Sequence, residues 1–255
     1  MNFKNKTAIS TGAASGMGLL FAENFAALGG NVVLCDINEA ILNEKVAEIN
    51  SKNVGRAIGV VCDVRDYAQV CNVRDKAVEI FGSIDVMVNF AGGTAVRMLK
   101  VDKEKYPEFP DVPIEVYDWG LDVNLKGPFY FGHAVMKQMR EQKSGLIVNI
   151  GSITGAEGSS YGLDYATAKS GIMYGLTKSL AQVGASHGIR CVCVSPGPVL
   201  TRASMAKMKT PIGRAAEPQE IIDLILFIAS EKGQFINGEN IMIDGGRNAM
   251  TRNVK

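Results

Sequence analysis

The sequence lacks an excess of charge of either sign: its formal net charge is +1 at pH 7 over 255 residues. Proteins that bind nucleic acid or an acidic membrane surface usually concentrate Lys and Arg, so we expect neither partner. No apolar run approaches the roughly 20 residues of a membrane-spanning helix. Residues 1–6 lead directly into a predicted strand, without the apolar segment of an export signal, and we therefore expect a cytoplasmic protein.

Histidine is scarce and cysteine shows no pairing pattern. The two histidines fall on separate predicted helices, which argues against a hydrolase triad. Five cysteines are an odd number, and a disulfide framework is not expected in a reducing compartment. Cys191 and Cys193 stand one residue apart in an apolar run that offers no further ligands. We predict no metal site and interpret both cysteines as buried strand residues.

Short apolar runs alternate with longer amphipathic segments along the chain. Several runs are apolar throughout, as expected for parallel strands covered on both faces. The alternation predicts an α/β fold, a doubly wound parallel sheet of about seven strands with helices on both faces. The predicted strands are Thr7–Ser10, Val32–Asp36, Ala57–Cys62, Ile84–Asn89, Leu146–Ile150, Arg190–Ser195 and Asn240–Asp244. The predicted helices lie near 16–28, 38–52, 66–81, 118–142, 163–187 and 217–230.

No linker or repeat divides the chain, so we predict one domain over residues 1–255. Two segments depart from the alternation. Residues 93–117 carry three prolines and many charges, and we predict an extended loop insertion there. Residues 201–214 are also irregular and are predicted to form a lid over the substrate, a common role of long loops.

A glycine-rich turn follows the first strand and opens the first helix. Glycine lets the backbone approach a pyrophosphate, and the helix N-terminus adds free N–H groups and a positive dipole end. The spacing is G-x-x-x-G-x-G rather than the common G-x-G-x-x-G, and a purely structural turn is the alternative. The predicted contacts with a dinucleotide are Gly12, Ser15, Gly16, Met17 and Gly18.

Asp36 ends the second strand, where a carboxylate can accept hydrogen bonds from the adenosine ribose. The same carboxylate would repel a 2′-phosphate, and Ser15, Ile37 and Asn38 supply no cation to bind one. We therefore predict NAD rather than NADP as the cofactor. The alternative role for Asp36 is to cap the helix that follows.

Tyr165 and Lys169 are four residues apart in a predicted helix and so share one face. A free phenol has a pKa near 10, and a nearby ammonium is expected to lower it, which would make Tyr165 a tuned acid and base. Ser152 follows a buried strand and can bond to a substrate oxygen. The Tyr–Lys spacing alone is typical of many solvated helix faces, and its value comes from the glycine turn and Ser152.

Together these motifs resemble the short-chain dehydrogenase/reductase family of the compact, single-domain kind, over nearly the whole chain. The matching pieces are Thr11-Gly12…Gly16-Met17-Gly18, Cys62-Asp63-Val64, Asn89-Phe90-Ala91-Gly92, Asn124, Ser152, Tyr165-Ala166-Thr167-Ala168-Lys169, Pro196-Gly197 and Asp244-Gly245-Gly246.

The resemblance implies further contacts with the cofactor. They are Asp63 at the adenine amino group, Val64 beside the adenine ring, Asn89, Ala91 and Gly92 around the ribose near nicotinamide, Lys169 and Tyr165 at that ribose, and Pro196, Gly197, Val199 and Thr201 around the nicotinamide.

The resemblance also implies that Asn124 holds a water that links Lys169 to solvent, completing a catalytic set with Ser152 and Tyr165. One position departs from the family pattern: Phe90 stands where a second asparagine usually ties adjacent strands. We expect a packing adjustment there rather than a loss of activity.

The leading hypothesis is an oxidoreductase that moves a hydride between NAD(H) and a secondary alcohol or ketone, with Tyr165 as general acid/base. Polar residues around 154–161 favour a sugar or polyol, although a simple Gly/Ser-rich loop explains them too. A 3-oxoacyl or steroid-type ketone is the alternative substrate. A non-catalytic nucleotide sensor would be expected to have lost Ser152 or the Tyr–Lys pair. The family further implies a homotetramer formed through helices 118–142 and 163–187.

Overall fold

A computed structural model describes residues 1–52, 54–208 and 210–249. Seven parallel strands form one sheet in the order β3-β2-β1-β4-β5-β6-β7, which confirms the doubly wound parallel sheet. The predicted strands agree with the observed ones to within two residues at either end. The strands are β1 Thr7–Thr11, β2 Asn31–Asp36, β3 Arg56–Val61, β4 Val86–Asn89, β5 Gly145–Ile150, β6 Ile189–Pro196 and β7 Asn240–Ile243.

Helices connect the strands and cover both faces of the sheet. In the described part of the chain they are α1 Gly16–Ala27, α2 Glu39–Ser51, α3 Tyr67–Phe81, α4 Ala95–Met98, α5 Ile114–Leu121, α6 Gly127–Gln142, α7 Ile153–Glu157, α8 Leu163–Ser170, α9 Thr177–Ala185 and α10 Pro218–Ala229. Two π-helical segments, Asp122–Lys126 and Gly171–Leu176, join α5 to α6 and α8 to α9. No helix among the described residues is long and apolar enough to cross a membrane.

The helix starts follow from local chemistry. Glu217 and Glu220 form a capping box around Pro218, as the proline and acids at that position predict. The α2 helix is capped by Asn38, whose side chain accepts from the N–H of Ile41. Asp36 is therefore not the cap of α2, which removes the alternative reading of that residue.

The segment 93–117 contains short helices within the loop that its prolines and charges predict. It contains α4 and a 3₁₀ turn at Phe109–Asp111, and α5 begins at Ile114, ahead of the predicted start near 118. The physical reason is a small separate core. It consists of Val96, Val112 and Tyr117, with Val101, Tyr106, Val116 and Tyr161 packed against them.

The tie between β4 and β5 is made by Asn89. Its amide donates to Asn149 Oδ1 at 2.9 Å, and Asn149 donates in turn to Thr177 Oγ1 at 3.1 Å. Phe90 instead packs against Phe21 of α1, with ring centroids 5.8 Å apart. An aromatic residue thus stands at the position of the usual family asparagine. A series of hydrogen-bonded, buried polar side chains links the strands instead.

The apolar run around Cys191 and Cys193 is β6, and both side chains are fully buried and unpaired thiols, as predicted. Burial raises the pKa of the Cys193 thiol to about 11, so it stays protonated at neutral pH. No group of three or more His, Cys, Asp or Glu residues in the described ranges is arranged to hold a metal.

We predict that Asn149→Ala lowers the free energy of unfolding by about 2 kcal/mol or more, because it leaves the buried Asn89 amide without its acceptor. Urea denaturation measures the change. Asn43→Ala, an exposed position in α2, is the matched control and should change stability little. An unchanged midpoint for Asn149→Ala would show that the polar tie does not stabilise the sheet.

Candidate active site

The sheet order reverses between β1 and β4, and in parallel α/β sheets such a point opens a crevice at the carboxyl ends of the strands. The glycine turn lies there. Gly12 has φ +63° and lies so close to Ala91 that a Cβ would stand 3.1 Å from the Ala91 Cα. A Cβ on Gly18 would stand 2.5 Å from the Gly12 carbonyl oxygen, so the helix packs as closely as the turn predicts.

The start of α1 is suited to an anion. Gly16 has φ +59° and faces open space, and Ser15, which precedes the helix, makes no side-chain capping bond. The N–H groups of the first turn therefore point free into the crevice with the positive end of the helix dipole. Ser15 and Gly16 are exposed, and Met17 is partly buried against the core. This geometry fits a dinucleotide pyrophosphate.

Asp36 lies beside this turn. Its carboxylate accepts from the Ala14 N–H at 3.1 Å and from the Asn38 N–H at 3.0 Å. The two bonds hold the carboxylate at the rim of the crevice, at the end of β2. The arrangement suits an acceptor for ribose hydroxyls.

The residues that the family associates with adenine lie after β3. Asp63 forms a salt bridge with Arg65 at 2.5 Å, which holds the pKa of that carboxyl below its usual range. Val64 is buried against Gly127, where a Cβ would stand 2.9 Å from Val64 Cγ2. Asp63 is thus an ionised acceptor already engaged by one cation.

The loop after β4 brings Ala91 and Gly92 to the crevice. The Ala91 N–H donates to Thr11 Oγ1 at 3.0 Å, which fixes the loop to the end of β1. A Cβ on Gly92 would stand 2.6 Å from Asn124 Oδ1 and 3.6 Å from Lys169 Nζ. The Asn89 side chain is buried within the sheet and its amide is bonded to Asn149, so a contact of Asn89 with the ribose would involve its backbone.

Residues at the end of β6 form the opposite wall. Gly197 packs directly on β7, with its N–H bonded to the Ile243 carbonyl at 3.0 Å. Pro196 ends β6, Val199 is buried, and Thr201 is exposed with its hydroxyl 3.4 Å from the Val199 carbonyl.

Asn124 lies in the π-helical segment and is completely buried. Its Oδ1 accepts from the Gly93 N–H, and its Nδ2 donates to the carbonyls of Gly93 and Gly120, at 2.8 to 2.9 Å. Both amide hydrogens and one lone pair of Oδ1 are thus used in joining the β4 loop to α5.

Lys169 is almost fully buried on α8, and its Nζ donates to the Ile150 carbonyl at 2.6 Å. Burial lowers the pKa of the ammonium to about 8. Nζ lies 5.4 Å from the centre of the Tyr165 ring, on the face that the four-residue spacing predicts. The ammonium keeps two further donors for other partners.

Ser152 and Tyr165 meet at the end of β5. Ser152 Oγ accepts from the Thr154 N–H at 3.1 Å, and the Ser152 hydroxyl interacts with the Tyr165 phenol closely enough to lower its pKa. Burial raises the pKa of the phenol, and the Ser152 bond and the charges of Arg97 and Arg202 act in the opposite direction. The pKa of Tyr165 is therefore raised rather than lowered as the sequence predicts, because burial outweighs the nearby positive charges.

Comparisons with known proteins agree with this geometry. The sequence matches the family described as enoyl-(acyl carrier protein) reductase over residues 12–248. It is 34% identical over 255 residues to the 3-oxoacyl-[acyl-carrier-protein] reductase FabG of Thermotoga maritima, covering 96% of this chain and 99% of that protein. It is 38% identical over 254 residues to the trans-4-hydroxycyclohexanecarboxylate dehydrogenase of Sinomonas cyclohexanicum, covering 96% and 93%. The chain belongs to the short-chain dehydrogenase/reductase family.

A solved short-chain dehydrogenase/reductase has the same fold. The 3-oxoacyl-[acyl-carrier protein] reductase with bound NAD from Brucella melitensis matches with a TM-score of 0.84 and 29% identity, over 97% of this chain and 92% of that one. The protein is therefore an oxidoreductase of this family, whose members use nicotinamide cofactors and act on small molecules.

Three polar residues of this short-chain dehydrogenase/reductase were not identified from sequence motifs: Asp164, Arg97 and Arg202. Asp164 is buried on α8, where Oδ2 accepts from the Ala95 N–H at 3.3 Å and Oδ1 has no partner among the described residues. Arg97 and Arg202 act on Tyr165 from two separate segments. The sequence signals that could have found them are the position of Asp164 directly before Tyr165 and the location of Arg97 and Arg202 in the two irregular segments 93–117 and 201–214.

We predict that Asp164→Asn stabilises the protein increasingly as pH rises. Burial raises the pKa of Asp164 above its ordinary value, so its contribution to stability is full at low pH and is lost as pH rises through that raised pKa. Urea midpoints from about pH 4.5 to about pH 7.5 should diverge between the variant and the native protein. The exposed Asp118→Asn is the control, and parallel curves for Asp164→Asn would contradict the prediction.

Proposed function

We propose that the protein transfers a hydride between NAD(H) and a secondary alcohol or ketone, with Tyr165 as the general acid/base. The observation that carries the proposal is the meeting of Ser152, Tyr165 and Lys169 at one crevice with the glycine turn at its other end. The nicotinamide supplies the hydride or accepts it, and the protein supplies position and the proton.

In the reducing direction Tyr165 donates its phenolic proton to the carbonyl oxygen. Burial keeps the pKa of the phenol above its ordinary value, so the proton is present at neutral pH. Ser152 Oγ already accepts from the Thr154 N–H, which leaves its own hydrogen to donate to an oxygen in front of it. Two donors thus converge where negative charge develops on the substrate oxygen.

Lys169 is the next group along the proton path. Its lowered pKa of about 8 lets the ammonium release or take up a proton near neutral pH, and its free donors suit the hydroxyls of the nicotinamide ribose. A water bound at the backbone of Asn124 would complete the path to solvent. Pro196, Gly197, Val199 and Thr201 form the wall on which the nicotinamide would lie.

NAD rather than NADP is supported by Asp36, whose carboxylate is held at the end of β2 by two backbone N–H groups. A 2′-phosphate there would meet a negative charge. The nearest described cation after β3, Arg65, is already paired with Asp63. The bound NAD of the Brucella melitensis reductase is consistent with this choice.

The relatives narrow the substrate toward ketones and cyclic alcohols. Their names include 3-oxoacyl-[acyl-carrier-protein] reductases and the cis- and trans-4-hydroxycyclohexanecarboxylate dehydrogenases. These substrates share a secondary alcohol or a ketone, the group on which Tyr165 is placed to act. A 3-oxoacyl thioester is the second candidate, while no contact among the described residues favours a sugar or polyol.

The residues 93–117 and 201–214 are proposed to cover the substrate within a single domain; Lys209 lies outside the described residues. A homotetramer is proposed through the outer face of α6 and α9. A groove of about 710 Å³ runs between them, away from Tyr165, and Phe129 and Val183 lie exposed on it.

Tyr165→Phe should lower kcat for ketone reduction by roughly 10²–10⁴-fold, because the proton donor is lost. Affinity for NADH, measured by fluorescence titration, should stay within about threefold, since the ring remains in place. Tyr174→Phe, an exposed tyrosine nearby, is the matched control. Near-normal turnover by Tyr165→Phe would refute the assignment, and absence of any turnover by the native protein would favour a nucleotide sensor.

The native enzyme should prefer NADH to NADPH by at least about tenfold in kcat/KM, because the Asp36 carboxylate repels the 2′-phosphate. Asp36→Ser should reduce that ratio, chiefly through KM for NADPH. Glu39→Gln removes the next carboxylate along the chain without touching the rim of the crevice and should leave the ratio unchanged. A native preference for NADPH would overturn the role given to Asp36.

A further inference from the structure

Two guanidinium groups lie near the Tyr165 phenol without a carboxylate partner. Arg97 and Arg202 both act electrostatically on Tyr165 and on each other. Within residues 1–52, 54–208 and 210–249 neither forms a salt bridge with an acidic side chain. Neither arginine takes part in the proposed proton transfer.

Arg97 is placed over the crevice by α4. Its Nη2 lies 2.7 Å from the position that a Cβ on Gly93 would take, so the guanidinium packs closely against the Gly93 backbone. The start of α4 is tied to α8 by the bond from the Ala95 N–H to Asp164. Burial and the charge of Arg202 both lower the pKa of Arg97, which indicates a partly desolvated cation facing a like charge.

Arg202 approaches from the other side, on the segment 201–214. That segment contains four basic residues and no acidic one. The Arg202 guanidinium contacts only the Met205 sulfur, at 3.7 Å, among its described hydrogen-bond partners. Its neighbour Arg214, by contrast, is neutralised by Glu220 at 2.6 Å.

The acid nearest in sequence to Ser152 does not neutralise the pair. Glu157, at the end of α7, is engaged by Arg247 in two hydrogen bonds of 2.8 and 2.9 Å. Both arginine side chains are exposed. Two like charges close to each other repel, and an anion bound between them removes that repulsion. The phosphates of a dinucleotide belong at the glycine turn, which leaves the substrate as the source of that anion.

We propose that the substrate carries a carboxylate, which Arg97 and Arg202 bind while Tyr165 and Ser152 hold the oxygen of its ketone or alcohol group. A planar carboxylate matches the fork of a guanidinium, and its single charge can be shared by two. The substrate class is thus an oxo acid or hydroxy acid rather than a neutral ketone. The inference rests on the proposed hydride transfer and adds the recognition of its substrate.

The test compares each oxo acid with its own neutral ester. The probes are 4-oxopentanoate and 4-oxocyclohexanecarboxylate, each beside its methyl ester, with NADH oxidation followed by absorbance. The native enzyme should favour the acids by about tenfold or more in kcat/KM, the scale of a charged hydrogen bond. Arg97→Gln and Arg202→Gln should each lower kcat/KM for the acids about tenfold, mainly through KM, and leave the esters nearly unchanged.

Lys207→Gln is the control, since it removes an exposed cation from the same segment. Binding of the acids to the enzyme–NADH complex, followed by calorimetry, should weaken in both arginine variants and not in this control. If the arginine variants lose acid and ester turnover equally, the arginines only tune Tyr165. A native enzyme that prefers the esters would also contradict carboxylate recognition. Both results overturn the inference and leave hydride transfer intact. NADH binding with no ketone or ester reduced would defeat the proposed function and the inference together.

Discussion

The Asn124 carboxamide is the contact on which the arrangement of the site depends. Its three hydrogen bonds join the backbone of Gly93, after β4, to Gly120 in α5. Gly92 then lies against Asn124 and beside the Lys169 ammonium, with no room for a side chain. Because α4 starts just beyond Gly93, the same contact also decides where Arg97 points. A single buried amide thereby positions groups from three separate segments.

Burial and charge oppose each other around Tyr165. Removal from water raises the pKa of the phenol and lowers that of Lys169, so both groups are pushed toward their neutral forms. The fields of Arg97 and Arg202 act against this effect at the phenol. The site therefore combines a dry proton donor with unneutralised positive charge at its entrance, a combination suited to an anionic substrate with a polar reacting oxygen.

Sequence patterns predicted the sheet well because its strands are short, mostly apolar runs that alternate with amphipathic segments. They missed the short helices within 93–117, where prolines and charges suggested a loop. There Val96, Val112 and Tyr117 gather into a small core from positions too far apart for any periodicity to show. They also did not show the direction of the Asn89 amide, which depends on Asn149 and Thr177, far along the chain.

By itself the sequence determined the doubly wound fold, through the alternation of apolar and amphipathic segments along the chain. It also determined the glycine turn and the pairing of Tyr165 with Lys169, since both depend on spacing within one segment. Only the tertiary structure decided the electrostatic environment of the site. It buries Tyr165 and brings Arg97 and Arg202 together from distant segments, with no described acidic side chain paired to either. These features arise where segments that follow different strands meet. Long-range electrostatics depends on distances in space, which residue spacing does not encode.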